Sequence, residues 1–245
     1  MRMNVRRDVR LRVALRWAPK DPRRYLRDAA RLPLQLAAST RIAALRLIDL
    51  SELTCGVGEV LVQLTRADTR HAWSLGAAEQ LSLQVLARVR GCNTAFEIGT
   101  FNGGTTRLLA EALPAAGQVW TLDLPPVAFD ATQGPVGFSG SQVGVAYRES
   151  PDAYKITQLY GNSLDYDFGP FERSADLVLI DGGHEYDNGV ADTLAAMRLV
   201  RPGGIVLWDD FEPYWDGLVH GICDAMHGRD LCRLAGTALA VYVSE

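Results

Sequence analysis

Apolar positions change their spacing as the chain proceeds, and each change predicts a different kind of element. Over residues 21–64, Tyr25, Leu26, Ala29, Ala30, Leu32, Ile42, Leu45, Leu47 and Ile48 recur every three to four positions without strand alternation, which predicts helix. Pro22 suits a helix start, Pro33 is expected to divide or kink the segment, and Gly56-Val57-Gly58 to break it. A second amphipathic helix is predicted over residues 77–89. From there, short apolar runs alternate with helical ones: strands over 94–98, 118–122, 156–160, 176–180 and 204–208, and helices over 105–113, 190–199 and 217–226. Runs such as Leu177-Val178-Leu179-Ile180 and Ile205-Val206-Leu207-Trp208 suit strands covered on both faces of a parallel sheet. Two last runs, 231–234 and 238–243, flank Ala235-Gly236-Thr237, which predicts an antiparallel hairpin closing one sheet edge. Residues 125–151, rich in Gly, Pro and Ser, are too long for a routine connection and are expected to form a flap or mobile loop. The pattern is that of a doubly wound, Rossmann-like α/β fold of seven strands with an N-terminal helical cap.

Composition narrows the class rather than the function. The 245 residues are 48% hydrophobic with a net charge of -4, which excludes disorder and small disulfide scaffolds. Cys55, Cys92, Cys223 and Cys232 are scattered, with no metal-finger spacing, and no apolar run approaches a membrane span, so a reduced cytoplasmic protein is expected. Residues 1–31 hold eleven basic side chains against three acidic ones, so the rest of the chain is acidic. Such an arm can pack on its own acidic body or on a partner subunit, or touch an anionic membrane weakly; nucleic acid is not the expected partner.

The first chemical motif is Glu97-Ile98-Gly99-Thr100-Phe101-Asn102-Gly103-Gly104-Thr105-Thr106. Here a strand runs into a tight turn at Gly99, Gly103 and Gly104 are expected to let the backbone approach a ligand, and Thr105 and Thr106 offer hydroxyls to a carboxylate. Asp123 closes the next strand, where a carboxylate can accept from both ribose hydroxyls. The spacing differs from the dinucleotide G-x-G-x-x-G, so a ligand with ribose and an amino-acid tail is favoured over nicotinamide nucleotides.

The fourth and fifth strands end in Asp181-Gly182-Gly183-His184 and Asp209-Asp210. Strand ends on this edge of a doubly wound sheet face the ligand crevice, so the three aspartates are expected to converge there. Carboxylates so crowded call for a cation, most simply Mg²⁺, and His184 is placed to take a proton from an attacking hydroxyl. His71, His220 and His227 lack comparable company and are read as surface or packing residues. Trp208, Phe211, Tyr214 and Trp215 could line an acceptor pocket or fill the core.

The stretches EIGTFNGGTT and VWTLDL resemble the first two motifs of the class I S-adenosylmethionine-dependent methyltransferases, and the resemblance runs from about Leu75 to the final hairpin. It implies Glu97, Gly99, Thr100, Phe101 and Gly103 around the methionine and ribose of the cofactor, Thr105 at its carboxylate, Asp123 at the ribose hydroxyls, and Asn162 and Ser163 near adenine. DGGH with a later DD after RPGG is similar to the metal-dependent O-methyltransferases of natural-product sugars, with Asp181, Asp209 and Asp210 on the metal and His184 as base; Asp181 belongs to cofactor and catalytic sets alike. EIGTFNGG is also similar to the caffeoyl-CoA and catechol enzymes, but their D-x-D-K has Gly183 and His184 here, and Asp210 stands where they have Asn. The resemblance therefore implies a basic arm or cap over 1–70, a cofactor domain over 71–245, and methyl transfer to a hydroxyl of a small natural product or sugar by a homo-oligomer. A metal-free methyltransferase and a non-catalytic membrane-surface adaptor are the rival readings.

Overall fold

The computed structural model describes residues 22–54, 62, 74–131 and 139–245. The first 21 residues of the basic arm, Cys55, the Gly56-Val57-Gly58 break and His71 lie outside them. In chain order the principal elements are α1 (Pro22–Ala44), β1 (Arg46–Ile48), α2 (Leu50–Leu53), α3 (Ala77–Val89), β2 (Thr94–Ile98), α4 (Gly104–Ala112), β3 (Gln118–Asp123), α5 (Pro126–Ala131), α6 (Val145–Arg148), β4 (Ile156–Tyr160), β5 (Ala175–Ile180), α7 (Tyr186–Leu199), β6 (Val200–Trp208), α8 (Asp216–Ala225), β7 (Cys232–Leu234) and β8 (Ala240–Val243).

One sheet joins all eight strands in the order β1-β7-β8-β6-β5-β2-β3-β4. Every neighbouring pair is parallel except those made by β8, which runs against both β6 and β7. Alternate residues of the central strands enter different apolar layers, Val178, Ile180, Val206 and Trp208 on one face, Leu177, Leu179, Ile205 and Leu207 on the other. Helices α1, α7 and α8 cover the first face through Ala38, Ile42, Ala195, Leu199, Leu218 and Ile222, whereas α3 and α4 cover the second through Leu83, Leu86 and Leu109. Each such leucine or isoleucine withdrawn from water contributes about 1.5–3 kcal/mol, which is why near-continuous apolar strands settle at the centre.

The structure corrects four expectations. The sheet has eight strands rather than seven, because Arg46–Ile48, inside the segment expected to be helical, pairs in parallel with β7. The closing hairpin therefore does not form the edge; β1 does. Helix α1 runs unbroken through Pro33, whose ring is exposed on the helix surface. The described part of 125–151 is not wholly loop: it holds α5, a 3-10 turn at Gly140–Gln142 and α6.

The chain goes from β2 outward to β3 and β4, then returns to lay β5 and β6 on the other side of β2. This reversal opens a crevice between β2 and β5 at their carboxyl ends. Backbone bonds continue the ladder past the strands, from Gly99 N to Leu122 O (2.8 Å), Asp181 N to Ile98 O (2.8 Å) and Asp209 N to Ile180 O (2.9 Å), so the loops that leave the sheet are tied to their neighbours at their first residue.

Candidate active site

Gly99 begins the loop after β2 with φ of 101°, and a Cβ there would lie 1.9 Å from the carbonyl oxygen of Asp181. Only glycine lets the two loops cross this closely. Gly103 also has positive φ, but its missing side chain serves the chain itself: a Cβ would meet the Tyr147 ring at 2.5 Å and Gly144 Cα at 2.8 Å. At this position the missing side chain makes room for α6.

The polar residues of the loop form a directed network. Glu97, fully buried, accepts at Oε2 from the hydroxyls of Thr106 and Thr121, both at 2.5 Å, while its Oε1 has no partner. Burial pushes its pKa up to about 8 even though the two hydroxyls hold it down. Thr100 Oγ1 lies 2.7 Å from Thr121 Oγ1, Gln158 Nε2 donates to Thr100 Oγ1 at 3.0 Å, and the Tyr147 hydroxyl donates to Gln158 Oε1 at 2.8 Å. Thr106, read as a hydroxyl for a ligand carboxylate, is thereby spent on the protein's own Glu97, and half-buried Thr105 is the hydroxyl left at the start of α4.

Asp123, at the end of β3, braces the same loop. Its Oδ2 accepts from the backbone N–H of Thr100 (3.0 Å) and Phe101 (2.7 Å), and its Oδ1 from that of Leu124 (2.7 Å). Phe101 has a left-handed φ of 47°, which this pair of bonds holds in place. Burial raises the Asp123 pKa against the pull of the three N–H donors. Asn162 is exposed and its side chain accepts from Leu164 N at 3.2 Å, a bond that closes the turn after β4. Ser163 lies beside Asp192, a fully buried carboxylate on α7 with no partner in hydrogen-bond geometry. Burial pushes Asp192 up to about 6, Ser163 offsetting part of the rise.

Across the crevice the three aspartates do converge: Asp181, Asp209 and Asp210 each offer an oxygen, and these lie within 4.8 Å of one another. Burial, then the charges of Asp209 and Asp210, push Asp181 well above the carboxylate range, and burial with Asp210 pushes Asp209 up to about 7. Glu79 on α3 adds to that repulsion while it accepts from Ala238 N at 2.9 Å. No Arg or Lys among the described residues pairs with the three aspartates. Oxygen donors with uncompensated repulsion fit a hard divalent cation.

His184 joins this group through Nε2, 2.8 Å from Asp210 Oδ2, and its ring stacks on Trp215 with centroids 3.9 Å apart and planes 20° apart. Asp210 itself has a left-handed φ of 54°. Of the four aromatics, Trp208 and Phe211 are core, Trp208 Nε1 donating to Thr193 at 2.9 Å, whereas Trp215 packs against that core and stacks on His184, and exposed Tyr214 meets Trp215 edge-on.

Residues 96–211, from the glycine loop to just past the aspartate pair, match a family described as Methyltransferase domain. The chain is 26% identical over 192 residues to caffeoyl-CoA O-methyltransferase of Pinus taeda, covering 75% of this chain and 70% of the relative, and 25% identical over 164 residues to caffeoyl-CoA O-methyltransferase 2 of Zea mays, covering 66% and 58%. These residues thus form a methyltransferase domain, similar to those of S-adenosylmethionine-dependent O-methyltransferases. Two solved structures share the fold of this methyltransferase. The O-methyltransferase TomG of Streptomyces achromogenes, involved in tomaymycin synthesis and bound to S-adenosylmethionine, superimposes with a TM-score of 0.54 at 22% identity, covering 71% of this chain and 82% of that one. The Bacillus cereus O-methyltransferase in complex with S-adenosylhomocysteine gives 0.52 at 19%, covering 71% and 84%.

Sequence reasoning missed what supports the methyltransferase's candidate site. Tyr147, Thr121, Gln158, Glu79 and Asp192 carry no motif; helical phase alone separates Thr106 from Thr105. Among the described residues no helix is long and apolar enough to cross a membrane.

Proposed function

We propose that this methyltransferase acts on a hydroxyl of a small natural product or sugar and requires Mg²⁺. The observation that carries the reading is the meeting of Asp181, Asp209 and Asp210 within 4.8 Å of one another, with His184 bonded to Asp210. Glu97, Gly99, Thr100, Phe101 and Thr105 would hold the methionine and ribose parts of the donor, Asp123 its ribose hydroxyls, and the loop at Asn162 and Ser163 its adenine. Asp181, Asp209 and Asp210 would hold the cation, which when bound supplies Lewis-acid polarisation of the acceptor hydroxyl.

The chain's own part is proton removal and alignment. With the proton of His184 on Nε2 and donated to Asp210, Nδ1 is the lone-pair nitrogen that accepts the hydroxyl proton as the oxygen bonds to the methyl carbon and the carbon–sulfur bond breaks. Asp210 then faces an imidazolium and stabilises it. Trp215 against the imidazole, with Tyr214 at its edge, offers an aromatic surface suited to an acceptor with a ring.

The test is methyl-labelled donor incubated with a panel of catechols and hydroxylated sugars, with Mg²⁺ or with excess EDTA. Label is expected in an ether product only when Mg²⁺ is present, and His184→Ala is expected to lower the rate by about 10²–10⁴-fold, the usual worth of a general base, with S-adenosylhomocysteine affinity kept. Undiminished transfer in EDTA ends the metal reading, and a fully active His184→Ala ends the assignment of the base.

A further inference from the structure

His184 sits on the loop between β5 and α7, where no strand or helix bonds fix its backbone. Two contacts define its ring: Asp210 at Nε2 and the face of Trp215. Trp215 is the residue at which α8 begins, bonded through its own N–H to Glu212 O (3.0 Å) and accepting from Val219 N (3.0 Å). The ring on which the histidine lies therefore moves with the first turn of α8.

That first turn is anchored from an unexpected direction. Asp216, the next residue, is 4% exposed, and both its carboxylate oxygens are taken by one guanidinium, Arg31 of α1: Nε to Oδ2 at 3.1 Å and Nη2 to Oδ1 at 2.9 Å. The third residue of the turn, Gly217, packs so close to the histidine loop that a Cβ would lie 3.0 Å from Tyr186 N and 3.4 Å from His184 O. Trp215 and Gly217 thus meet His184 at its ring and at its backbone, and the Asp216 carboxylate between them has a partner contributed by the N-terminal helix. A second ion pair, Arg41 with Asp224 at 2.5 Å, and the buried Ala38 and Ile42 keep α1 alongside α8.

We propose that Arg31 is a positioning residue for the active site: by neutralising Asp216 in a bidentate grip it fixes the first turn of α8, and through Trp215 and Gly217 it holds the His184 imidazole against Asp210. A buried carboxylate without its cation is left uncompensated and must turn toward water, which displaces the turn that carries Trp215. Arginine rather than lysine suits the place because a planar fork fixes direction as well as charge. The proposal builds on the reading of His184 as the base, but its content is the placement of the ring, which can be measured without an acceptor.

The chain has four histidines, so selective labelling resolves their ring protons by NMR, with His184→Asn assigning the signal. In the full-length protein the His184 ring protons are expected upfield, in the ring current of Trp215, and Trp215→Ala removes that shift. Arg31→Ala should lose most of it while S-adenosylhomocysteine affinity by calorimetry changes less than twofold, and Arg31→Lys should restore part of it. If Arg31→Ala does not fold, as judged by loss of S-adenosylhomocysteine binding, Arg31→Gln is measured against the same criteria. An unchanged His184 shift in a folded Arg31 variant overturns the proposal. Full activity of His184→Ala would instead overturn the base assignment and leave the measured placement of the ring intact.

Discussion

Glu97 offers the sharpest test of the buried network beneath the glycine loop. Its carboxyl is fully buried and its pKa stands at about 8, against 4.5 when free. Folding therefore raises the pKa, and the sign follows: the stability associated with this group is fully present below pH 4.5 and is lost as pH rises toward 8. At pH 7 the folded chain keeps a proton that the unfolded chain has released, at a cost of about 3 kcal/mol. Glu97→Gln removes the titration while keeping the shape of the protonated acid, with its amide oxygen able to accept from Thr106 and Thr121 and its amide nitrogen in the place of Oε1. Urea unfolding of both proteins at pH 5, 6, 7 and 8, without donor, should show the variant gaining on the parent by about 1.4 kcal/mol per pH unit, because every other titrating group is common to both. Stability curves that stay parallel from pH 5 to 8 would refute the reasoning, since they would mean that Glu97 ionises in the folded protein as easily as in the unfolded chain.

Three other outcomes follow from the geometry. Gly99→Ala places a methyl 1.9 Å from Asp181 O at a φ of 101°, so a loss of about 3 kcal/mol or more is expected by thermal melting, and an unchanged melting temperature would deny the close crossing. Asp123→Ala removes the acceptor for the Thr100, Phe101 and Leu124 amides; S-adenosylhomocysteine affinity by calorimetry should fall at least tenfold, about 1.4 kcal/mol, and equal affinity would show that the loop holds its form unaided. Asp209→Asn relieves charge in the aspartate cluster; in EDTA the variant should be more stable than the parent at pH 8, where Asp209, its pKa at about 7, is mostly ionised, and this advantage should shrink at pH 5.

How far the chain could be read in advance depended on how many faces of each element were buried. Leu177 to Ile180 and Ile205 to Trp208 announced central strands because both faces of those strands are covered. Arg46–Ile48 was hidden because only Ile48 is buried there, and Leu45, Leu47 and Ile48 continue the helical spacing of α1. The acid-bearing strand ends were legible because topology alone delivers Asp123, Asp181 and Asp209 to one edge. The charged groups around them come from distant segments, Glu79 beside Asp209 from α3, Asp192 beside Ser163 from α7 and Arg31 on Asp216 from α1, and no local pattern marks them. At Asn162 the side chain meets a local need, capping Leu164 N, where the motif position pointed to a ligand.

The placement of β1 has a bearing on how the molecule is made. An edge strand near the beginning of the chain pairs with a strand close to its end, Arg46 against Cys232 and Ile48 against Leu234. During synthesis the first of these must wait, its hydrogen-bonding edge open, until the second has left the ribosome. Pairings so remote in sequence close slowly, since the entropy of a long loop is lost before any contact rewards it. Leu47, 58% exposed even in the finished fold, then lies on a waiting segment that a chaperone would be expected to shield.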